Sequence, residues 1–520
     1  LFYTEHTFGA DESISNPQSI NSKNQWSQKS SYIWTAYQQA NLLREKAIGL
    51  IQPCIETPKN ASITVFNTLN WQRSGVVEAF IYHDILPLDK EFIITDTKGN
   101  KVPAQLIKSR SEGSYWALWV EDIPAMGYTN LEITVSNKQL VSKSIQKHTS
   151  ESIENNYYKI VLDEDRNGIT SIYDKELQKE LTDANSEYAL GEFIYEEVEH
   201  RGELERLTHN VRDTAYRPIK RALYTTTDFQ ITNIEDGELW ISIICNGKTD
   251  KCADENGVNM EVRLYKQTKQ IELLYEMTKH SNTDPNSVYI AFPFSPEENG
   301  ELVFEAQGGI VSPGVNQLEG TASDWNTIQN FAAVKRENSQ IIFSSKDIPL
   351  VQFGDINTGH FYYKHKPETC HIYSWVLNNY WTTNFKADQS GELEWKYQFT
   401  SSDDNSNSAA TRFGVAKKVP LISRTNAGRT TGGKQITETL LNLSTVDNLL
   451  LVSARPAAEG IILHLRETEG DHAVVDITKL LQQENIKAVY EVNAIGEKLK
   501  EITGPLLVEH WEVKFLLLEM

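Results

Sequence analysis

The rhythm of apolar and polar positions changes once, at Pro53. Before it, Trp26, Lys29, Ile33, Ala36, Ala40, Leu43, Ala47 and Leu50 recur at spacings of three and four, the period of one helix face. This predicts one amphipathic helix of roughly six or seven turns, stopped by Pro53. Its seam is rich in Ala, which lets a partner helix approach closely. A single long helix cannot bury its own stripe, so a partner is expected, with upstream sequence as its source.

After Pro53 the period is two. Residues 62–67, 75–82, 92–96, 102–107, 115–121 and 131–135 alternate like half-buried strands. Turn signals such as Thr97-Lys98-Gly99-Asn100 and Ser111-Glu112-Gly113-Ser114 separate them. These predict a small β-sandwich over 54–150, its last part a polar linker from Ser136 to Ser152. A second β region follows, with Arg166-Asn167-Gly168 predicted as a hairpin turn. Strand patterns continue from residue 239 to residue 400 without a helical period, so 151–415 is expected to be a large two-layered sandwich. Residues 401–408 read as a polar loop, and the Gly-, Thr- and Arg-rich tract 420–434 introduces a third β-domain within 416–520. The fold class is mainly β behind a short helical segment at 1–53.

Composition narrows the functions. A formal net charge of −21 argues against nucleic acid, which needs clustered Lys and Arg. No apolar run is long enough to span a membrane as a helix. Four cysteines in 520 residues make no disulfide framework; Cys245 and Cys252 are either a hairpin bridge or free thiols. The chain begins with Leu and carries neither a basic nor an apolar leader, so it reads as a fragment or a processed product.

Chemistry-bearing residues concentrate in two places. The first twenty residues hold Glu5, His6, Asp11 and Glu12 just ahead of the helix. The second is Asn378-Asn379-Tyr380-Trp381 with Asn384, where indole stacking and amide hydrogen bonds suit a sugar; the alternative is an Asn pair satisfying backbone at a strand end. Asp355, after Gln352-Phe353-Gly354, has the same two readings.

Glu5-His6-Thr7-Phe8-Gly9-Ala10, followed by Ser13 and Asn16-Pro17, resembles the Glu-His-Thr-Trp-Gly-Ala segment of bacterial α-mannosidases of glycoside hydrolase family 38, with Phe8 in place of Trp. Ile153-Glu154-Asn155-x-Tyr157-Tyr158 with Tyr173-Asp174-Lys175 is similar to the opening of that family's large C-terminal sandwich. Pro349–Asp355 and Trp375–Asn384 follow in the family's order. The resemblance implies a zinc-bearing barrel, a three-helix bundle and then β-sandwiches. Only the end of that plan maps here: a bundle remnant, a small sandwich, a large galactose-mutarotase-like supersandwich and a C-terminal sandwich.

The resemblance further implies a retaining exo-α-mannosidase, with two carboxylates flanking the scissile bond and Zn2+ held by His and Asp. The nucleophile is expected in the barrel, so no catalytic residue is assigned to this chain. His6 falls where the family places its last zinc-binding histidine. One ligand makes no site, so the chain by itself is expected to hold no zinc and to be inactive. Asp355, Asn378, Asn379 and Trp381 are the candidate substrate contacts. The expected partners are a glycan ending in α-mannose and the barrel; self-association is left open. A non-catalytic carbohydrate-binding sandwich protein is the alternative. A sandwich epimerase would need a paired His and Glu in the large sandwich, and the sequence offers no convincing pair.

Overall fold

The computed structural model describes residues 11–139, 150–204, 219–297, 300–321, 323–357, 365–380, 385–428, 438–439, 441, 443, 446–483 and 485–520. One long helix, Ile20–Ile51, leads into β-structure. It starts before Trp26 because Ser19 caps it, its Oγ accepting the Ser22 N–H at 3.0 Å; a hydrophobic period cannot register polar first turns. Only Ser22 and Ile48 along it are buried. Ile48 joins Ile55, Phe66 and Tyr128 at the foot of the first sandwich.

That first sandwich packs a five-stranded sheet on a three-stranded one (Arg73–Tyr82, Gly113–Ile123, Ala104–Ser109). Between them lie Ile63, Val77, Ile81, Leu118 and Leu131. Two of the five strands come from beyond residue 416. Ile422–Asn426 pairs antiparallel with Ser62–Asn67, and Glu438–Thr439 pairs with the Gly127–Gln139 strand. The stretch 416–520 is therefore not one module, because its first part covers sheet edges that the 54–150 segment leaves open.

The large sandwich is built from four-, six- and nine-stranded sheets. Its core stacks Phe292, Phe294, Phe343, Tyr397 and Phe399, all fully buried. Strands Tyr158–Asp163 and Gly168–Asp174 pair through Asp163 and Gly168. The turn is thus the four residues 164–167, with Asn167 in the left-handed region at φ +54°. Cys245 and Cys252 are both buried free thiols, and burial pushes them up to about 12 and about 11.

A helix absent from the sequence expectations, Asn407–Lys418, follows the polar stretch 401–406. Ser406 caps it, and Ala410 and Phe413 pack on Phe331, Ala333 and Ile342 of the nine-stranded sheet side. The last unit, from Leu449 on, combines a five-stranded and a two-stranded sheet around Leu463, Leu465, Val489 and Leu516. Specific bonds join the units. Asn70 exchanges two hydrogen bonds with the backbone of Leu449 and Leu451, and buried Arg466 pairs with Glu305 at 2.5 Å.

Candidate functional site

Strand alternation sends Phe193 and Tyr195 into the main core, and Ile194 and Val198 to the other face of the six-stranded sheet. Glu196 shares that second face and is fully buried there. A carboxylate in such a place must be paired and hydrogen-bonded. Arg221, from the neighbouring strand Arg221–Thr225, donates to its Oε1 at 3.1 Å. Tyr289 donates to its Oε2 at 2.8 Å, and the Tyr380 hydroxyl donates to the same oxygen. Burial acts to lower the Arg221 pKa, but Glu196, Tyr289 and Tyr380 outweigh it and hold the guanidinium above its ordinary value. Burial, then the Glu196 charge, push Tyr380 far up.

Two of the stretches singled out in the sequence meet at this cluster. Gln352 donates to the Tyr289 hydroxyl at 3.4 Å and accepts the Asn357 N–H at 2.5 Å. The Ile356 carbonyl accepts from Arg221 at 2.9 Å. Trp375 stacks on Tyr289 with ring centroids 6.1 Å apart and donates to Ser287 at 2.9 Å. Asp355 lies at this end of the sheet, exposed, its carboxylate accepting the Ile356 N–H at 2.7 Å. Asn378 is half-buried opposite Ser287.

Asn379 spends its amide on the main chain. It donates to the carbonyls of Asp284 (2.7 Å), Ala387 (3.1 Å) and Asn282 (3.2 Å), and accepts the Asn286 N–H at 2.6 Å. Arg201 braces the same strand end through the carbonyls of Asn379 and Thr283. Trp381 and His6 lie outside the described residues.

Beside this frame opens a polar pocket of about 830 Å³, lined among others by Glu197, Glu199, Arg201, Lys220, Arg221 and Asp284. Its charges are largely matched: Lys220 faces Glu199 at 3.4 Å, and Lys251, whose ammonium lies 4.4 Å from the Tyr224 ring centre, faces Glu197 at 3.5 Å. Such a lining offers donors and acceptors without a net field, which suits a neutral, hydroxyl-rich ligand better than an ion. The pocket also holds His200, which faces Glu203 at 3.6 Å. That His–Glu pair was overlooked in the sequence, although its i, i+3 spacing was visible.

Both oxygens of Glu196 are engaged, so it organises the sheet face and is not a base open to substrate. The signal for it was present: the first Glu of Phe-Ile-Tyr-Glu-Glu-Val stands in phase with Ile194 and Val198. Among the described residues no three His, Cys, Asp or Glu side chains assemble into a metal-binding set. The described residues thus do not supply a zinc site.

Residues 153–343 match the model of the glycosyl hydrolases family 38 C-terminal domain. No curated protein sequence matches the chain. An α-mannosidase from Enterococcus faecalis V583 superimposes on 97% of this chain with TM-score 0.68 at 13% identity. A glycosyl hydrolase family 38 protein from Enterococcus faecalis covers 94% with TM-score 0.67, also at 13% identity. At that identity the likeness is one of fold. The chain spans 62% of the length of each.

Proposed function

From a chain that carries a glycosyl hydrolases family 38 C-terminal domain, we propose the C-terminal region of a zinc-dependent retaining exo-α-mannosidase that removes terminal α-mannosides from glycans. The observation that carries this reading is the family match at 153–343 inside a chain whose whole fold follows an α-mannosidase. Retention requires two carboxylates about 5–5.5 Å apart, one nucleophilic and one acid/base; we assign neither to this chain. Zinc would supply charge against the sugar hydroxyls, with His6 as one ligand through a neutral ring nitrogen and the other ligands outside the chain.

The residues of this chain act on binding and position. Asp355, Asn378 and Trp381 are the proposed mannoside contacts, and Asn379, with Arg201, sets the strand end that precedes Trp381. The bare long helix receives the remaining helices of a bundle. By itself the 520-residue chain turns over no nitrophenyl α-mannoside.

The test compares the longest natural form of the gene product with its His6→Ala variant, measuring metal content and nitrophenyl α-mannoside hydrolysis. About one zinc per chain and activity, both lost on substitution, are expected. A metal-free, inert full form overturns the enzymatic reading in favour of a sugar-binding sandwich protein. Turnover by the 520-residue chain overturns the assignment of the nucleophile outside it.

A further inference from the structure

The turn Glu509–Glu512 in the last β-unit holds a tryptophan in an unfavourable backbone conformation. Trp511 has φ +54°, the left-handed region that bulky side chains avoid. Glu467, fully buried, holds it there: its Oε2 accepts the N–H groups of Trp511 at 3.0 Å and Gly470 at 2.8 Å. Its Oε1 accepts the Glu469 N–H at 2.6 Å and the Asn448 amide at 3.0 Å. One buried carboxylate is thus committed to locking two surface turns together. His510 adds a third tie, Nδ1 to the Gly470 carbonyl at 2.8 Å.

The lock seats the indole against Gly470. A Cβ added at Gly470 would meet the Trp511 ring at 2.5 Å, so only glycine lets the ring lie so close to that backbone. Yet Trp511 remains 38% exposed. Asp471 and His472, the two residues that follow Gly470 in the chain, are exposed and joined at 2.8 Å. A strained turn and an exposed indole both oppose stability, and strain held in place by a buried carboxylate motivates a functional reading.

We infer that Trp511, seated on Gly470 with Asp471 and His472 next in the chain after that glycine, is a platform for the apolar face of a pyranose ring in a glycan. A pyranose presents C–H groups on one face and hydroxyls at its rim. The indole meets the first as an aromatic surface; the carboxylate and imidazole meet the second as acceptor and donor. A single aromatic with a polar border is small for a protein partner, whose interface buries on the order of 800 Å² per side, and is the size of one sugar ring. The platform lies in a different unit from the Glu196 face, so it serves attachment to a glycan and not bond cleavage.

The experiment is electrophoresis of the native 520-residue chain through gels containing α-mannan, mixed-linkage β-glucan or no polysaccharide. The choice of α-mannan rests on the proposed function. The wild-type chain should be retarded at least about two-fold in a polysaccharide gel whose sugar concentration reaches the dissociation constant of the single site. Trp511→Gly, which suits φ +54°, should run as in the plain gel with an unchanged or higher melting temperature, and Trp511→Tyr should keep part of the retardation. Retardation by β-glucan alone supports the platform and counts against the mannoside reading. Free migration of the wild type in both polysaccharides, or equal retardation of Trp511→Gly, overturns the platform whatever the outcome for catalysis.

Discussion

In the large sandwich Phe292, Phe294, Phe343 and Phe399 are fully buried, and each lies within 6.5 Å of another of these rings. Along the long helix Ile33, Trp34, Tyr37, Leu42 and Leu43 are each more than half exposed, and every residue from 31 to 40 is exposed. The two regions contain the same kinds of side chain. Burying one such side chain contributes about 1.5–3 kcal/mol, so the helix forgoes stabilisation that the sandwich obtains. What differs is the closure of contacts: the sandwich completes its core by pairing strands far apart in sequence. The helix is held near its ends instead, by the Ser19 cap, the Trp26–Ser13 hydrogen bond at 2.8 Å and the docking of Ile48. Its exposed apolar face is the one for which a bundle partner is proposed.

The contrast breaks most readily at the buried charges of the sandwich. Arg221→Ala leaves Glu196 without its cation, and should lower stability by about 3–5 kcal/mol in a denaturant titration. If the loss is under about 1 kcal/mol, the pair is not the brace described here. A smaller effect is expected at Glu192, 5% exposed and accepting the Ala189 N–H at 2.8 Å. Burial pushes its carboxyl up to about 7 from 4.5. The folded state therefore binds a proton that the unfolded state releases. Stability from this group is full below the unfolded value and falls as pH rises from about 4.5 through about 7. Glu192→Gln should flatten that slope and gain on the order of 2 kcal/mol at pH 8, read as the difference between the two melting curves.

On the helix the effects are local. Ser19→Ala should cost about 1 kcal/mol of helix stability, visible as faster amide exchange in the first turns while the global unfolding midpoint stays put. Leu43→Lys should change the stability of this chain by less than about 0.5 kcal/mol. In the longest natural form of the gene product the same substitution should cost about 1.5–3 kcal/mol if a bundle covers that face. Equal, negligible effects in both forms would remove the case for a docked partner.

Local spacing made much of the plan readable. The strand Arg73–Tyr82, where Val77, Ala79 and Ile81 are buried and Glu78 and Tyr82 exposed, and the long helix follow from periods of two and of three to four, since backbone geometry sets where successive side chains point; Ser62–Asn67, expected to alternate, is buried at every position. The helix Asn407–Lys418 was hidden because its packed positions are small: Ala410 is fully buried, and at Gly414 an added Cβ would meet the Asn330 carbonyl at 2.5 Å. A close approach of that kind leaves no large apolar stripe to read. The candidate site divides the same way. Trp375, Asn378 and Asn379 stood out as a polar-aromatic run, but their roles depend on what faces them. Asn379 answers backbone groups from two separate segments, 282–286 and Ala387, and Glu196 meets Tyr289 and Tyr380, 93 and 184 residues along the chain.

The sequence by itself determined the alternation of elements, the change from helix to strand at Pro53 and the acidic, cysteine-poor character, because each depends on neighbours within a few bonds or on counting. Only the tertiary structure decided that Ile422–Asn426 returns to the first sandwich, that Glu196 is neutralised by Arg221, and that Gly470 seats Trp511. Those outcomes are set by sheet edges, buried charges and steric clearances between distant segments. No local pattern encodes them, because the free energy that selects them arises only when the segments meet.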